Sequence, residues 1–148
     1  MRLILNERPE MEKPEVTIAY SEMTASVKRV ADFVRSVEQT ILCKKDEEEC
    51  SVPVGDIFYI ESVDKKTFVY CEKEVYMCSL RLYEIEKMVE KAGFVRVSKS
   101  TILNIERLKG VKTLVNSRLE AILSNGERVC VTRKYLKDIR EALIRRNS

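Results

Sequence analysis

Gly93-Phe94-Val95-Arg96-Val97-Ser98-Lys99-Ser100-Thr101-Ile102-Leu103-Asn104 is the stretch whose reading decides the fold. A glycine at its head suits the left-handed residue that ends a helix. Phe94 to Ser98 then alternates between apolar and polar, the pattern of a strand with one buried face. Ser98-Lys99-Ser100-Thr101 follows, four hydrogen-bond donors with no acid among them. Hydroxyls beside an ammonium suit phosphate oxygens and base edges. The same four residues also fit an ordinary solvated loop.

Downstream, Ile105 to Gly110 reads as a turn or a single helical turn, and Val111 to Val115 and Arg118 to Leu123 as strands joined through Asn116-Ser117. Asn125-Gly126 is a strong hairpin signal, because both residues tolerate positive φ. Arg128 to Val131 closes that hairpin. Thr132-Arg133-Lys134 leads into a last helix, about Tyr135 to Arg145, with Tyr135, Leu136, Ile139 and Leu143 on its apolar stripe.

Upstream lie further short strands. Thr40 to Cys43 and Cys50 to Val54 flank an acidic loop, Lys44 to Glu49, whose charge would repel phosphates and is therefore expected away from any DNA surface. Asp56 to Val63, Thr67 to Cys71 and Val75 to Cys78 are evenly spaced strands, which predict an antiparallel sheet. Ser79 can cap a helix from Leu80 to Ala92, with Gly93 ending it. Before the sheet, Met1 to Leu5 and Val16 to Tyr20 have strand character, and Met23 to Glu38 predicts an amphipathic helix capped by Ser21 or Thr24. That helix either packs on its own domain or offers a dimer face.

The chain has 148 residues, enough for one full domain and a small appendage. No apolar run approaches the roughly 20 residues of a membrane span, and the N-terminus is too short and too soon acidic for a signal peptide. A cytoplasmic protein is expected. Its five cysteines lack Cys-x-x-Cys spacing and are expected to be reduced, metal-free thiols, most of them small core residues. Histidine is absent, which removes Ser-His and Cys-His nucleophile pairs and most catalytic zinc sites. Neither an enzyme nor a cofactor is expected. Charge is uneven: residues 1–93 carry 14 Lys and Arg against 19 Asp and Glu, whereas residues 94–148 carry 13 against 5. A C-terminal part at +8 fits a polyanion partner; a solvated basic surface fits the same numbers.

Three motifs carry a family resemblance. Phe94-x-Arg96-Val97-Ser98-Lys99-Ser100-x-x-Leu103-Asn104, Ile57-x-Tyr59-Ile60-Glu61 and Val131-Thr132-Arg133-Lys134-Tyr135 together resemble the LytTR DNA-binding domain. The resemblance covers about residues 38 to 146. It implies a mostly β (α+β) fold of antiparallel sheets, with a helix between strands and a C-terminal helix, spanning 38–148. Residues 1–37 would be a strand-helix extension acting as a dimer or regulatory element.

The resemblance also implies a bacterial transcriptional regulator that inserts loops, not a recognition helix, into successive grooves of double-stranded DNA. Carried over by position, the contact residues are Lys65, Lys66 and Thr67 in one turn, Arg96, Ser98, Lys99 and Ser100 in a second, and Arg133 and Lys134 in a third. Many members have histidine at the position of Ser98 and arginine at that of Lys99. Lysine there holds a phosphate but reads guanine less selectively, so Arg133 becomes the best single candidate for a base contact. Tyr59 and Tyr135 are expected in the core, Asn104 as a turn cap, Glu61 in a structural place, and Arg96 either on DNA or paired with an acid at the core edge. The 37 residues ahead of the domain are too few for a phosphoacceptor receiver. Regulation would then come through abundance, a homodimer, or a membrane-bound or other regulatory protein partner. A protein-interaction module with this fold and weak DNA affinity is the alternative.

Overall fold

The computed structural model describes residues 1–116 and 118–146. Helix α1 (Ala25–Val37) opens the folded part, and Thr24 caps it by accepting the Val27 amide on its hydroxyl at 3.3 Å. Strands β1 (Thr40–Lys45), β2 (Glu48–Pro53), β3 (Ile57–Val63), β4 (Lys66–Cys71) and β5 (Val75–Cys78) follow, then α2 (Leu82–Val89). Strands β6 (Phe94–Ser98), β7 (Thr101–Asn104), β8 (Leu108–Thr113), β9 (Leu119–Leu123) and β10 (Arg128–Val131) lead to α3 (Leu136–Arg146). Seven strands form one antiparallel sheet in the order β2-β1-β5-β4-β3-β7-β6; β10-β9-β8 form a second. The expected α+β fold of antiparallel sheets is the observed one.

The opening stretch is the wall between two cores. All four residues of β7 are buried. Successive side chains point to opposite faces of a strand, so Ile102 enters a core with Ile41, Val52, Ile60, Val69 and Ile85, while Leu103 enters another with Val97, Ala121, Leu123 and Ile139. Strand β3 serves both cores too. A bulge between Ile57 and Tyr59 breaks its alternation, so that Ile57 and Ile60 both face the first core while Phe58 faces the second. Burying one such isoleucine contributes about 1.5–3 kcal/mol. A polar residue at either β7 position would therefore damage a whole core.

Local departures have local causes. Gly93 adopts φ 86° and ends the helical region as expected. Ser79 does not cap α2: the helix begins two residues later, with Arg81 as its N-cap and no side-chain bond there. The loop between β1 and β2 is only Asp46-Glu47, both at positive φ, because the flanking charged residues pair across the ladder (Lys44 with Glu49, Lys45 with Glu48). At Asn125-Gly126 only the glycine takes positive φ; the Asn125 side chain instead accepts the Glu127 amide at 3.1 Å. Ser117, in the expected joint between β8 and β9, lies outside the described residues. Residues 16–20 form no strand, because no neighbouring strand pairs with them. No helix among the described residues is long and apolar enough to cross a membrane.

Candidate nucleic-acid interface

The turn between β3 and β4 consists of Asp64 and Lys65, at φ 50° and 66°, flanked by the pair Val63 and Lys66. Two consecutive left-handed residues make a type I′ turn, whose twist matches that of the strands. Lys65 sits at the tip and Lys66 begins β4; both are exposed. Thr67 belongs to the strand, not the turn. Only 3% of it is exposed, between Ser62 and Cys78, so its side chain is not part of the surface.

The second turn joins β6 to β7 through Lys99 and Ser100. The Ser98 hydroxyl accepts the Ser100 amide at 3.2 Å, and the two serine hydroxyls lie 3.4 Å apart. Arg96 reaches along the turn from within β6. Its Nε donates to Glu86 on α2 at 2.6 Å and its Nη1 to the Lys99 carbonyl at 2.5 Å. Of the two roles open to Arg96, the geometry has it paired with an acid and bracing the turn. Lys99 is exposed above that brace.

The third turn follows β10. The Thr132 amide donates to the Val97 carbonyl at 2.8 Å, bringing the end of the small sheet against the outer strand of the large one. Arg133–Tyr135 then make a single 3-10 turn into α3. Arg133 and Lys134 are exposed, and the Lys134 ammonium lies 5.5 Å from the Tyr135 ring centre.

Two backbone bonds draw these turns together. Beside the Thr132–Val97 bond, the Ser62 amide donates to the Ser100 carbonyl at 2.8 Å. Strand β3 ends, β7 begins and β6 ends at the same side of the ladder, so Lys65, Lys66, Lys99, Arg133 and Lys134 are brought to one end of the domain. The acidic tip Asp46-Glu47 is carried to the opposite end of the ladder, because β1 runs antiparallel to β5. Of the two tyrosines expected in the core, Tyr59 packs against the core around Phe58, whereas Tyr135 is only half-buried and belongs to neither core. Tyr59 and Tyr70 stack with ring centres 4.2 Å apart. Burial, followed by the Glu127 carboxylate, raises the Tyr59 phenol well above the ordinary tyrosine range; burial and Glu61 raise that of Tyr70. Asn104 is a cap as expected: its oxygen accepts the Glu106 amide and its nitrogen donates to the Ile57 carbonyl at 2.9 Å.

Sequence reasoning passed over Lys112 and Arg118. Leu119 pairs with both Thr113 and Val131, so the segment between β8 and β9 projects from the end of the small sheet where Thr132 departs. Both cations are exposed there. The signal was the +8 charge of this part of the chain, which has more cations than the three turns use. Among the described residues no group of three or more Cys, Asp or Glu is placed to hold a metal ion.

Comparison with known proteins finds relatives in sequence and in fold. A family model described as the LytTr DNA-binding domain matches residues 47–144. The sensory transduction protein LytT of Bacillus anthracis is 34% identical over 92 residues, which are 62% of this chain and 37% of that protein. The transcriptional regulatory protein YpdB of Escherichia coli (strain K12) is 26% identical over 126 residues, 84% of this chain and 51% of that protein. An uncharacterized HTH-type transcriptional regulator of Staphylococcus aureus is 25% identical over 130 residues, covering 86% of this chain and 88% of its own length. A solved LytTr DNA-binding domain from Bacillus cereus superposes with a TM-score of 0.65 at 29% identity, over 72% of this chain and 97% of that one.

Proposed function

The chain belongs to the LytTr DNA-binding domain family, a family of non-enzymatic DNA-binding modules, and on that premise we propose that it is a sequence-specific transcriptional regulator whose basic turns enter successive grooves on one side of a duplex. The observation that carries this reading is the joining of three basic turns by the Ser62–Ser100 and Val97–Thr132 backbone bonds. Turns held by ladders meet the duplex already arranged, and little ordering entropy is lost on binding. Lys65, Lys66, Lys99 and Lys134 are phosphate contacts in this scheme, positioning without reading sequence. Arg133 reads a base, because a planar fork meets guanine O6 and N7 together. Lys112 and Arg118 extend the phosphate footprint. Two copies side by side would occupy repeated sites.

The test is a fluorescence anisotropy titration against the DNA upstream of the protein's own gene and against a scrambled duplex, over a range of salt. Specific binding should weaken with salt, with a log–log slope of about −0.9 per phosphate neutralised. A flat response and equal affinity for both duplexes would favour a protein-interaction module with this fold.

A further inference from the structure

At the opposite end of the β6–β7 hairpin from the basic turns lies a groove of about 770 Å³, between α1, the start of β6 and the end of α3. Its apolar lining includes Phe33, Phe94 and Val95, and Phe33 is half exposed, on a helix that otherwise packs on the domain. Most charges at the rim are already paired. Arg29 holds Glu106 at 2.8 Å, Arg35 holds Asp32 at 3.0 Å, and Arg146 donates to the carbonyls of Ile105 and Leu108. Lys28, Lys91 and Arg145 have no acidic partner among the described residues, and of the rim acids only Glu90 is likewise unmatched. The groove is thus apolar inside and cationic at its edge.

The same chain contains a segment of opposite character with nothing to rest on. Residues 1–23 form neither helix nor strand, with a turn at Pro9-Glu10, and the one backbone bond within them among the described residues is Met11 to Arg8. Leu3 is 82% exposed and Val16 61%. Val16, Ile18 and Tyr20 recur at every second residue; Ile18 is half covered, while Val16 and Tyr20 are exposed. A monomer rarely leaves so much apolar surface open to water. The segment carries five glutamates against two arginines and one lysine. It is anionic and apolar where the groove is cationic and apolar.

We infer that the N-terminal arm of one copy lies in this groove of a second copy, so that the two exchange arms in a homodimer. The exchange would cover Val16 and Tyr20 against Phe33 and Phe94 and set Glu12 and Glu15 among Lys28, Lys91 and Arg145. It uses the end of the domain away from the basic turns, so both DNA surfaces stay open. Arm exchange is independent of DNA, and its test contains none.

The full chain should sediment as a dimer in analytical ultracentrifugation. Val16→Asp with Tyr20→Asp should give a monomer with an unchanged far-ultraviolet circular dichroism spectrum. Lys91→Glu with Arg145→Glu should also give a monomer, as should Glu12→Lys with Glu15→Lys. Mixing these last two variants should restore a dimer, because one junction then joins two unaltered surfaces and the other joins two reversed ones. A wild-type chain that stays monomeric up to high micromolar concentration, including one whose arm folds into its own groove, would overturn the inference. So would a dimer that survives either pair of substitutions, or two reversed variants that stay monomeric when mixed.

Discussion

The backbone amide of Ser62 donates to the carbonyl of Ser100 across 2.8 Å, and that bond joins the end of the β3–β4 hairpin to the end of the β6–β7 hairpin. It lies one step beyond the last pair of the β3–β7 ladder, Glu61 with Thr101, and depends on no side chain. The spacing between Lys65 and Lys99 is therefore set by strand geometry: two strand widths, about 10 Å. Side chains can be exchanged on this surface while its frame stays fixed, which makes the contribution of each residue separable by mutation.

Arg96 tests the frame of the second turn. It donates to Glu86 and to the Lys99 carbonyl, two bonds that would hold Lys99 in place. Arg96→Met removes both bonds and keeps the apolar stem. Hydrogen bonds to charged groups are each worth about 1.5–3 kcal/mol when well formed; Glu86 is partly exposed, so the lower end applies here. Cognate affinity should fall and the amide resonances of Lys99 and Ser100 should move, with the remaining spectrum unchanged. Resonances and affinity equal to wild type would mean that the turn needs no brace.

Lys65 separates stability from binding. Its φ of 66° costs a residue with a side chain about 1–2 kcal/mol, whereas glycine takes it without strain. Glycine loses about 0.5–1 kcal/mol more backbone entropy on folding, so Lys65→Gly should stabilise the fold by about 0.5–1 kcal/mol, which is a few degrees in a thermal melt. The same variant should bind cognate and scrambled DNA more weakly by a similar factor, having lost a phosphate contact. A protein that melts lower would show that the lysine side chain stabilises the turn by contacts that outweigh its strain.

The fold was legible wherever pattern and partner agree. The alternation from Phe94 to Ser98, the Gly93 stop and the Thr24 cap are local signals with local outcomes, and each was met. Val16 to Tyr20 has the composition of a strand and forms none, since a strand needs a neighbour and composition does not provide one. The Thr67 side chain is covered for a related reason: the turn was placed one residue late, and a shift of that size decides which side chains are covered. Arg96 was left between two roles because Glu86 lies ten residues away on another element, and only the fold brings them to 2.6 Å. Lys112 and Arg118 were visible only as surplus charge.

Tyr59 provides a dependence on pH. Its phenol is raised above the ordinary tyrosine value, first by burial and then by Glu127. A group raised in the folded state contributes its stability fully below the unfolded value, about 10, and loses it as pH climbs through the folded one. Urea midpoints of the wild-type protein should therefore fall above about pH 10, and those of Tyr59→Phe should fall less over the same interval. Tyr70 is raised in the same direction and leaves part of the decline in both proteins. Parallel declines in the two proteins would place the alkaline sensitivity elsewhere.

In the proposed function, Arg133 is the residue that reads sequence. It leaves β10 one residue after Thr132, whose amide is fixed to Val97, and opens the 3-10 turn that becomes α3. Its backbone is thus held on both sides, and a guanidinium on a fixed base can meet guanine O6 and N7 with two hydrogen bonds at once. Lysine keeps the charge and loses the paired geometry. Arg133→Lys should keep its affinity for scrambled DNA and lose about 1–3 kcal/mol of preference for the cognate site. Lys66→Ala should weaken both duplexes about equally, because a phosphate contact carries no sequence information. Competition titrations of cognate against scrambled duplex, for both variants at one salt concentration, separate the two behaviours. If Arg133→Lys weakens both duplexes by the same factor, Arg133 is a phosphate clamp, and base reading must come from another turn, with Lys99 at the tip of the second turn the next residue to change.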